Sequence, residues 1–205
     1  MKKEIRSTQA PSITGRTVSG VAVAFRSPSR PLYEQGKRFI EVILPEAITE
    51  DLIQRCDIRA LVDHDRARLL ARSNKGKGTL KLTLNEFGLE YSFEAPNTSD
   101  GDYVVEMVKR EDIQGSSFAF TVADGGERWE RRKDGTYTRY ISKIRALFDV
   151  TITADPAYPN TSVGVRNNGN KNTDYKKKLH KLAKEANIPF TAKEKIQELK
   201  KKYNL

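Results

Sequence analysis

The sequence contains very little cysteine and histidine, and both shortages limit its chemistry. Its 205 residues include one cysteine, Cys56, and two histidines, His64 and His180. A single cysteine cannot form an internal disulfide, and the sequence has no Cys/His cluster of the kind that holds zinc. We therefore expect no zinc site and a reducing, intracellular setting.

Long apolar runs are also missing. No stretch approaches about 18 apolar residues, the length that suggests a membrane span. The lysines of MKKEIRSTQAPS at the N-terminus are not followed by the apolar run of a secretory signal. The sequence therefore predicts neither a membrane span nor a secretory signal.

Positive charge is plentiful but unevenly distributed. The net charge is +10, and residues 167–205 carry 11 lysines against 4 acidic residues, a surplus of +7. Residues 1–166 carry 26 basic and 23 acidic residues, a surplus of only +3. The charge therefore favours a solvated or weakly associating tail over a nucleic-acid-binding main domain.

Short β-branched and aromatic segments, separated by turn residues, dominate residues 17–153. They predict strands at 17–25, 38–44, 58–62, 68–72, 79–84, 88–94, 115–123, 127–132, 137–145 and 147–153. Helices are predicted from Pro45 to about Gln54 and after a capping signal at Ser99. We therefore expect a mainly β (α+β) domain, either a barrel or a sandwich.

The C-terminal segment has a different composition. NNGNKNT at 167–173 predicts a polar linker. Apolar residues at helical spacing follow it, and Thr191 with Glu194 forms a capping box. The predicted organisation is a main domain at 1–166, the linker, and a small basic helical hairpin at 174–205.

One histidine is well placed for chemistry. His64 lies in LVDHD, where an apolar strand gives way to polar residues, and a strand end can present a side chain to a cleft. His180 lies among the lysines of the tail, where a solvated helix face is the ordinary interpretation. Because a lone histidine is usually structural, His64 needs partners to count as catalytic.

Alternation along a predicted strand separates two serines in GSSFAFTV. Ser116 shares a face with Phe118 and Phe120, which must point to the core. Ser117 lies on the other face beside the small Ala119, so it is the serine that can face a groove. A plain strand serine is the commoner interpretation of such a residue.

A carboxylate lies within the strand predicted from LFDVTITADPAYP. Alternation places Asp149 with Leu147 on one face and Phe148 on the other. A carboxylate inside a strand is costly unless it is exposed or paired, and an imidazole N–H would pair with it. The rival Asp155 precedes a proline and is explained as a loop residue. Asp63 and Asp65 flank His64, and alternation turns their side chains away from it.

These three residue types form a known catalytic combination. A serine hydroxyl becomes a good nucleophile when a base within about 3 Å takes its proton and a third group orients that base. His64, Ser117 and Asp149 are therefore the candidate catalytic residues, although sequence alone does not show that they are close together.

The same segments resemble a known family, the prohead serine proteases of tailed phages. GVAVAF, with a later FIE, resembles the opening G-x-A-x-x-F and F-x-E-x-I segments, and LVDHD resembles the histidine motif. GSSFAF resembles the nucleophile strand G-x-S-[FI]-[GA]-F. LFDVTITADPAYP resembles the closing L-x-[ED]-[VI]-[ST]-x-V-x-x-P-A-[YN]-P segment. The resemblance covers residues 17–166, with Asp149 at a position where some members have Glu.

The resemblance implies more than the residues show. It implies a closed β-barrel with peripheral helices, like the herpesvirus assemblins, and a serine endopeptidase without metal or cofactor. It also implies action in the host cytoplasm, inside the procapsid, on the major capsid protein, the scaffold protein or both, with self-cleavage.

Two alternatives stay open at this stage. One is a proteolytically inactive capsid assembly factor, and the other is a nucleic-acid-binding protein acting through the basic tail. The cleavage specificity, the oxyanion donors and a homo-oligomeric state are not fixed by the sequence.

Overall fold

The computed structural model describes residues 4–8, 12–34 and 36–156. The linker predicted at 167–173 and the helical hairpin predicted at 174–205 lie outside the described residues, as does the end of the predicted main domain. Within the described part of the chain, no helix has the length and apolar character needed to cross a membrane.

Strands dominate the described chain, as the sequence predicts, and they form three sheets. The six-stranded sheet has the order β1-β11-β14-β6-β7-β8. Its strands are Glu4–Thr8 (β1), Gly115–Val122 (β11), Ile144–Thr153 (β14), Asp57–Val62 (β6), Asp65–Asn74 (β7) and Lys77–Gly78 (β8).

The other two sheets have four strands each. The first has the order β2-β3-β10-β9, with strands Ser12–Thr14 (β2), Thr17–Ala24 (β3), Gly88–Glu94 (β10) and Lys81–Asn85 (β9). The second has the order β12-β13-β5-β4, with strands Glu127–Arg131 (β12), Tyr137–Ile141 (β13), Lys37–Ile43 (β5) and Leu32–Glu34 (β4).

The closed barrel expected from the resemblance is not found in the described residues. A barrel requires a ladder of hydrogen bonds that returns to its first strand, whereas each of these three sheets ends in two edge strands. All three sheets contribute to one hydrophobic core, which includes Val23, Ile43 and Phe118. The mainly β prediction is confirmed, a closed barrel is not found among the described strands, and the kinship with assemblins stays a prediction.

Helices cover parts of this core. A 3-10 turn at Pro45–Ala47 and α1 at Glu50–Arg55 replace the single helix predicted there, because Ile48 is extended and Thr49 caps a new start through the amide of Leu52. Helix α2 spans Ser99–Lys109, and its cap is Thr98 rather than the predicted Ser99.

Two ion pairs fasten the start of α2. Arg68 on β7 donates to Asp100 at 2.7 Å, and Arg16 donates to Asp102 at 2.8 Å. Both carboxylates lie in the first helical turn, where negative charge also complements the helix dipole. Val104 and Val108 of α2 pack on the core, and the two ion pairs hold the polar start of the helix.

Candidate active site

Three neighbouring segments of the six-stranded sheet supply the candidate residues. Strand β14 lies between β11, antiparallel to it, and β6, parallel to it. Thr151 on β14 is thus opposite Ser117 on one side and Leu61 on the other. His64 follows β6 directly, in the turn to β7. Sheet order alone therefore brings the His64 turn to two strands whose candidate residues lie 53 and 85 positions later in the sequence.

The structure brings His64, Ser117 and Asp149 into one chain of contacts. His64 Nε2 lies 2.8 Å from Ser117 Oγ, and His64 Nδ1 lies 2.6 Å from Asp149 Oδ1. An ionised carboxylate only accepts hydrogen bonds, so Nδ1 of a neutral His64 carries the proton and Nε2 is left to accept from the Ser117 hydroxyl. This is the tautomer that a general base for Ser117 requires.

The backbone at His64 is unusual. Val62 pairs with Asp65, so Asp63 and His64 are the two central residues of a tight hairpin turn. Their φ angles are +48° and +59°, as a type I′ turn demands. Side-chain crowding makes this region unfavourable by about 1–2 kcal/mol per non-glycine residue, so the turn needs support from its surroundings.

Strand β14 provides that support. The amide of Asp63 donates to the carbonyl of Ile152 at 3.1 Å, and the amide of His64 donates to Thr151 Oγ1 at 3.0 Å. The Thr151 hydroxyl in turn donates to the carbonyl of Leu61 at 2.8 Å. The same strand that pairs with the imidazole through Asp149 therefore also holds the main chain of His64.

The two serines of β11 face opposite sides, as alternation predicts. Phe118 and Phe120 belong to the hydrophobic core, and Ser116 on their side hydrogen-bonds the buried Tyr91 hydroxyl at 2.8 Å. Ser117 faces His64. However, only 1% of the Ser117 surface is exposed, so the hydroxyl is not open to solvent as expected, and the His64 ring lies against it.

Asp149 is buried beside a β-bulge. It pairs with Ala119, while Leu147 pairs with Phe120, so Phe148 is an extra residue on β14. The bulge reverses the alternation before Asp149: Leu147 enters the core and Phe148 is only half-buried, the reverse of the prediction. Asp149 itself has 1% of its surface exposed, and its pairing with His64 offsets the cost of burying a carboxylate.

The rival acidic residues lie elsewhere. Asp155 makes an exposed ion pair with Arg30 at 3.2 Å. The side chain of Asp63 is exposed, and that of Asp65 accepts from the amide of Ala67 at 2.9 Å. His180 lies outside the described residues.

Gly115, the first residue of β11, is explained by packing. A Cβ at this position would lie 2.7 Å from the carbonyl oxygen of Thr153 and 2.8 Å from the ring of Pro156. Close approach within the chain therefore requires glycine here, whatever binds nearby.

Two residues of the site were missed from the sequence, Thr151 and Tyr91. Thr151 is two residues from Asp149 on the same strand face, a spacing that could have suggested a shared target. Tyr91 has no such signal, because its contact with Ser116 depends on how two different sheets pack. Among the described residues, no group of three or more His, Cys, Asp or Glu side chains could hold a metal ion.

Comparison with known proteins gives one family and one solved structure. The model of a family described as caudovirus prohead serine protease matches residues 2–176. The structure of the bacteriophage T4 capsid assembly protease, gp21, is similar with a TM-score of 0.41 and 9% identity, covering 76% of this chain and 98% of that chain. A search of the curated proteins finds no match.

Proposed function

Because the chain belongs to the caudovirus prohead serine protease family, we propose that it is a serine endopeptidase whose catalytic triad is Ser117, His64 and Asp149. The observation that carries the assignment is the continuous contact from Asp149 Oδ1 through the His64 ring to Ser117 Oγ, at 2.6 Å and 2.8 Å. Both are hydrogen-bonding distances, so His64 can take the Ser117 proton directly while Asp149 orients the ring.

The proposed reaction has two halves. Ser117 Oγ bonds to the carbonyl carbon of the peptide while His64 Nε2 takes the hydroxyl proton, and His64 then gives that proton to the leaving amine as the C–N bond breaks. In the second half, His64 takes a proton from water, the hydroxide attacks the acyl-enzyme, and the proton returns to Ser117 Oγ as the acid leaves. Asp149 stabilises the imidazolium that forms in each half.

The proposed substrates are the scaffold protein, the major capsid protein or both, cut inside the procapsid in the host cytoplasm. The family description, with its reference to the prohead, supports this location. Self-cleavage is part of the proposal, and 167–173, a polar linker by sequence, is one candidate region for it.

The tail is proposed to act in delivery rather than in chemistry. Residues 167–205 carry the +7 surplus, which favours an acidic partner surface inside the procapsid with an affinity that falls as salt rises. A truncated chain ending at Arg166 should still hydrolyse a peptide but enter procapsids poorly. Loss of peptide hydrolysis in a folded truncated chain would contradict this role.

A reactive-site probe tests the triad directly. A fluorophosphonate, which bonds to activated serines, should label the wild type and the Ser116→Ala variant, but neither Ser117→Ala nor His64→Ala. Co-expression with the capsid and scaffold proteins, followed by fragment mapping, should show cleavage that Ser117→Ala abolishes. An unlabelled wild type with intact capsid proteins would favour the inactive assembly factor instead. Salt-sensitive DNA binding by the tail would support the nucleic-acid alternative.

A further inference from the structure

We infer that Thr151 is a positioning residue for the catalytic base: its hydroxyl holds the His64 turn in the conformation that presents Nε2 to Ser117. This inference rests on the proposed function. Thr151 acts through the main chain of His64. None of the hydrogen bonds described above joins its side chain to Ser117 or to the imidazole.

The hydroxyl makes two hydrogen bonds at once, in opposite directions. It accepts from the amide of His64 at 3.0 Å and donates to the carbonyl of Leu61 at 2.8 Å. A hydroxyl has one proton to give and lone pairs to accept with, so a single side chain satisfies both groups. Thr151 thus links Leu61, near the end of β6, to His64, three residues later.

The position of Thr151 in the sheet explains why this bond matters for Ser117. Thr151 is the residue directly opposite Ser117 on the antiparallel side and opposite Leu61 on the parallel side. Its side chain is fully buried. Any shift of the turn relative to β14 therefore changes the distance between His64 and Ser117, which belong to different neighbours of β14.

The backbone of His64 makes such a shift easy without support. Its φ of +59° lies in the left-handed region, which is less favourable for a residue with a side chain than for glycine. Without the Thr151 hydroxyl, the amide of His64 loses its partner and the turn can relax to another conformation. A displacement of about 1 Å between reacting groups can cost about 100-fold in rate.

The test compares variants that differ in the hydroxyl. Thr151→Val keeps the shape and removes the hydroxyl, whereas Thr151→Ser keeps the hydroxyl and removes only a methyl group. Thr153→Val is the matched control: Thr153 is on the same strand, and its hydroxyl accepts a main-chain amide, that of Asp155, at 3.2 Å. Each full-length variant is assayed on a peptide substrate for kcat and KM.

We expect kcat of Thr151→Val to fall about 10- to 100-fold with KM unchanged, while Thr151→Ser and Thr153→Val stay close to wild type. The low-field proton resonance of His64 Nδ1–H, seen by NMR, should broaden or disappear in Thr151→Val alone. This signal reports the His64–Asp149 contact and is not moved by a general loss of stability in a folded protein.

Two results would overturn the inference. One is a Thr151→Val variant with the kcat and the low-field signal of Thr153→Val. The other is a Thr151→Ser variant as impaired as Thr151→Val, which would assign the effect to the methyl group. If Thr151→Val does not fold, the pair Thr151→Ser and Thr151→Ala decides, since equal signals in both would exclude the hydroxyl. An inactive wild type would refute the proposed function, whereas the NMR comparison would still test Thr151.

Discussion

The hydroxyl of Tyr91 lies 2.8 Å from the hydroxyl of Ser116, on the side of β11 that faces away from His64. Tyr91 belongs to the sheet β2-β3-β10-β9, so this bond joins that sheet to the strand that carries the proposed nucleophile. Ser116 therefore bonds a tyrosine of the core, whereas Ser117 bonds the proposed catalytic base, His64.

Substituting the two serines should separate these roles. Ser117→Ala should abolish peptide hydrolysis with little change in stability. Ser116→Ala should remain active but lose about 1–3 kcal/mol of unfolding free energy, because the buried Tyr91 hydroxyl loses its partner. Chemical denaturation and peptide assays on both variants check this. A folded but inactive Ser116→Ala, with Ser117→Ala active, would mean that the roles are reversed.

The value of kcat should depend more on the charge of the side chain at position 149 than on its length. In Asp149→Asn the amide can donate to His64 Nδ1, which favours the tautomer with the proton on Nε2 and prevents it from accepting from Ser117. We expect kcat to fall about 10⁴-fold, as for the corresponding change in other triads. Asp149→Glu keeps the charge and should retain measurable activity. Equal loss in both variants would show that geometry, not charge, dominates.

Tyr91 should make the protein sensitive to alkaline pH. Burial raises the pKa of its hydroxyl above the ordinary value of 10.0, against the opposing effect of the Ser116 hydrogen bond. The folded state then keeps the proton while the unfolded state loses it, so stability is complete below about pH 10 and declines above it. Between about pH 10 and pH 11 the wild type should lose about 1 kcal/mol more than Tyr91→Phe.

Denaturation at each pH measures this difference, with Tyr103→Phe as the control. Tyr103 is 38% exposed, so Tyr103→Phe removes a tyrosine hydroxyl that lies outside the core. Parallel curves for the wild type and Tyr91→Phe would contradict the assignment.

The two ion pairs of Arg139 should contribute unequally to the free energy of unfolding. Its guanidinium bonds Glu41, whose side chain is fully buried, at 3.0 Å and Glu127, whose side chain is 35% exposed, at 2.6 Å. Glu41→Ala leaves a buried cation without its buried partner and should cost about 3–5 kcal/mol. Glu127→Ala removes a partly solvated partner and should cost about 1 kcal/mol or less. Denaturation of the two variants checks the order, and similar losses would refute it.

The sequence predicts most of the site because strand alternation is a local rule. Ser116 and Ser117 take the predicted faces, since β11 keeps its register from Gly115 to Ala119. The same rule fails at Leu147 and Phe148, where the bulge adds a residue. Nothing in the side chains of LFDV marks a bulge, because it arises from pairing with β11.

The conformation of His64 was also beyond local rules. Type I′ turns favour Asn-Gly, Asp-Gly or Gly-Gly, so Asp63 fits the first central position, whereas His64 occupies the second, where glycine is usual. Contacts from β14 compensate for the unfavourable residues, and those contacts depend on a parallel pairing with residues nearly ninety positions later. Four strands, β1, β2, β4 and β8, escaped prediction. Three of them, β2, β4 and β8, have three residues or fewer, too few to establish a period.

The placement of β14 has a consequence for the order in which the enzyme is made. Among the described strands β14 is synthesised last, yet it is inserted between β11 and β6. A nascent chain emerging from the ribosome already contains His64 and Ser117, but it has neither Asp149 nor the strand that aligns the other two. Translation must pass residue 153 before the three groups can meet, so a shorter nascent chain lacks the complete proposed triad and should not cut itself or its neighbours.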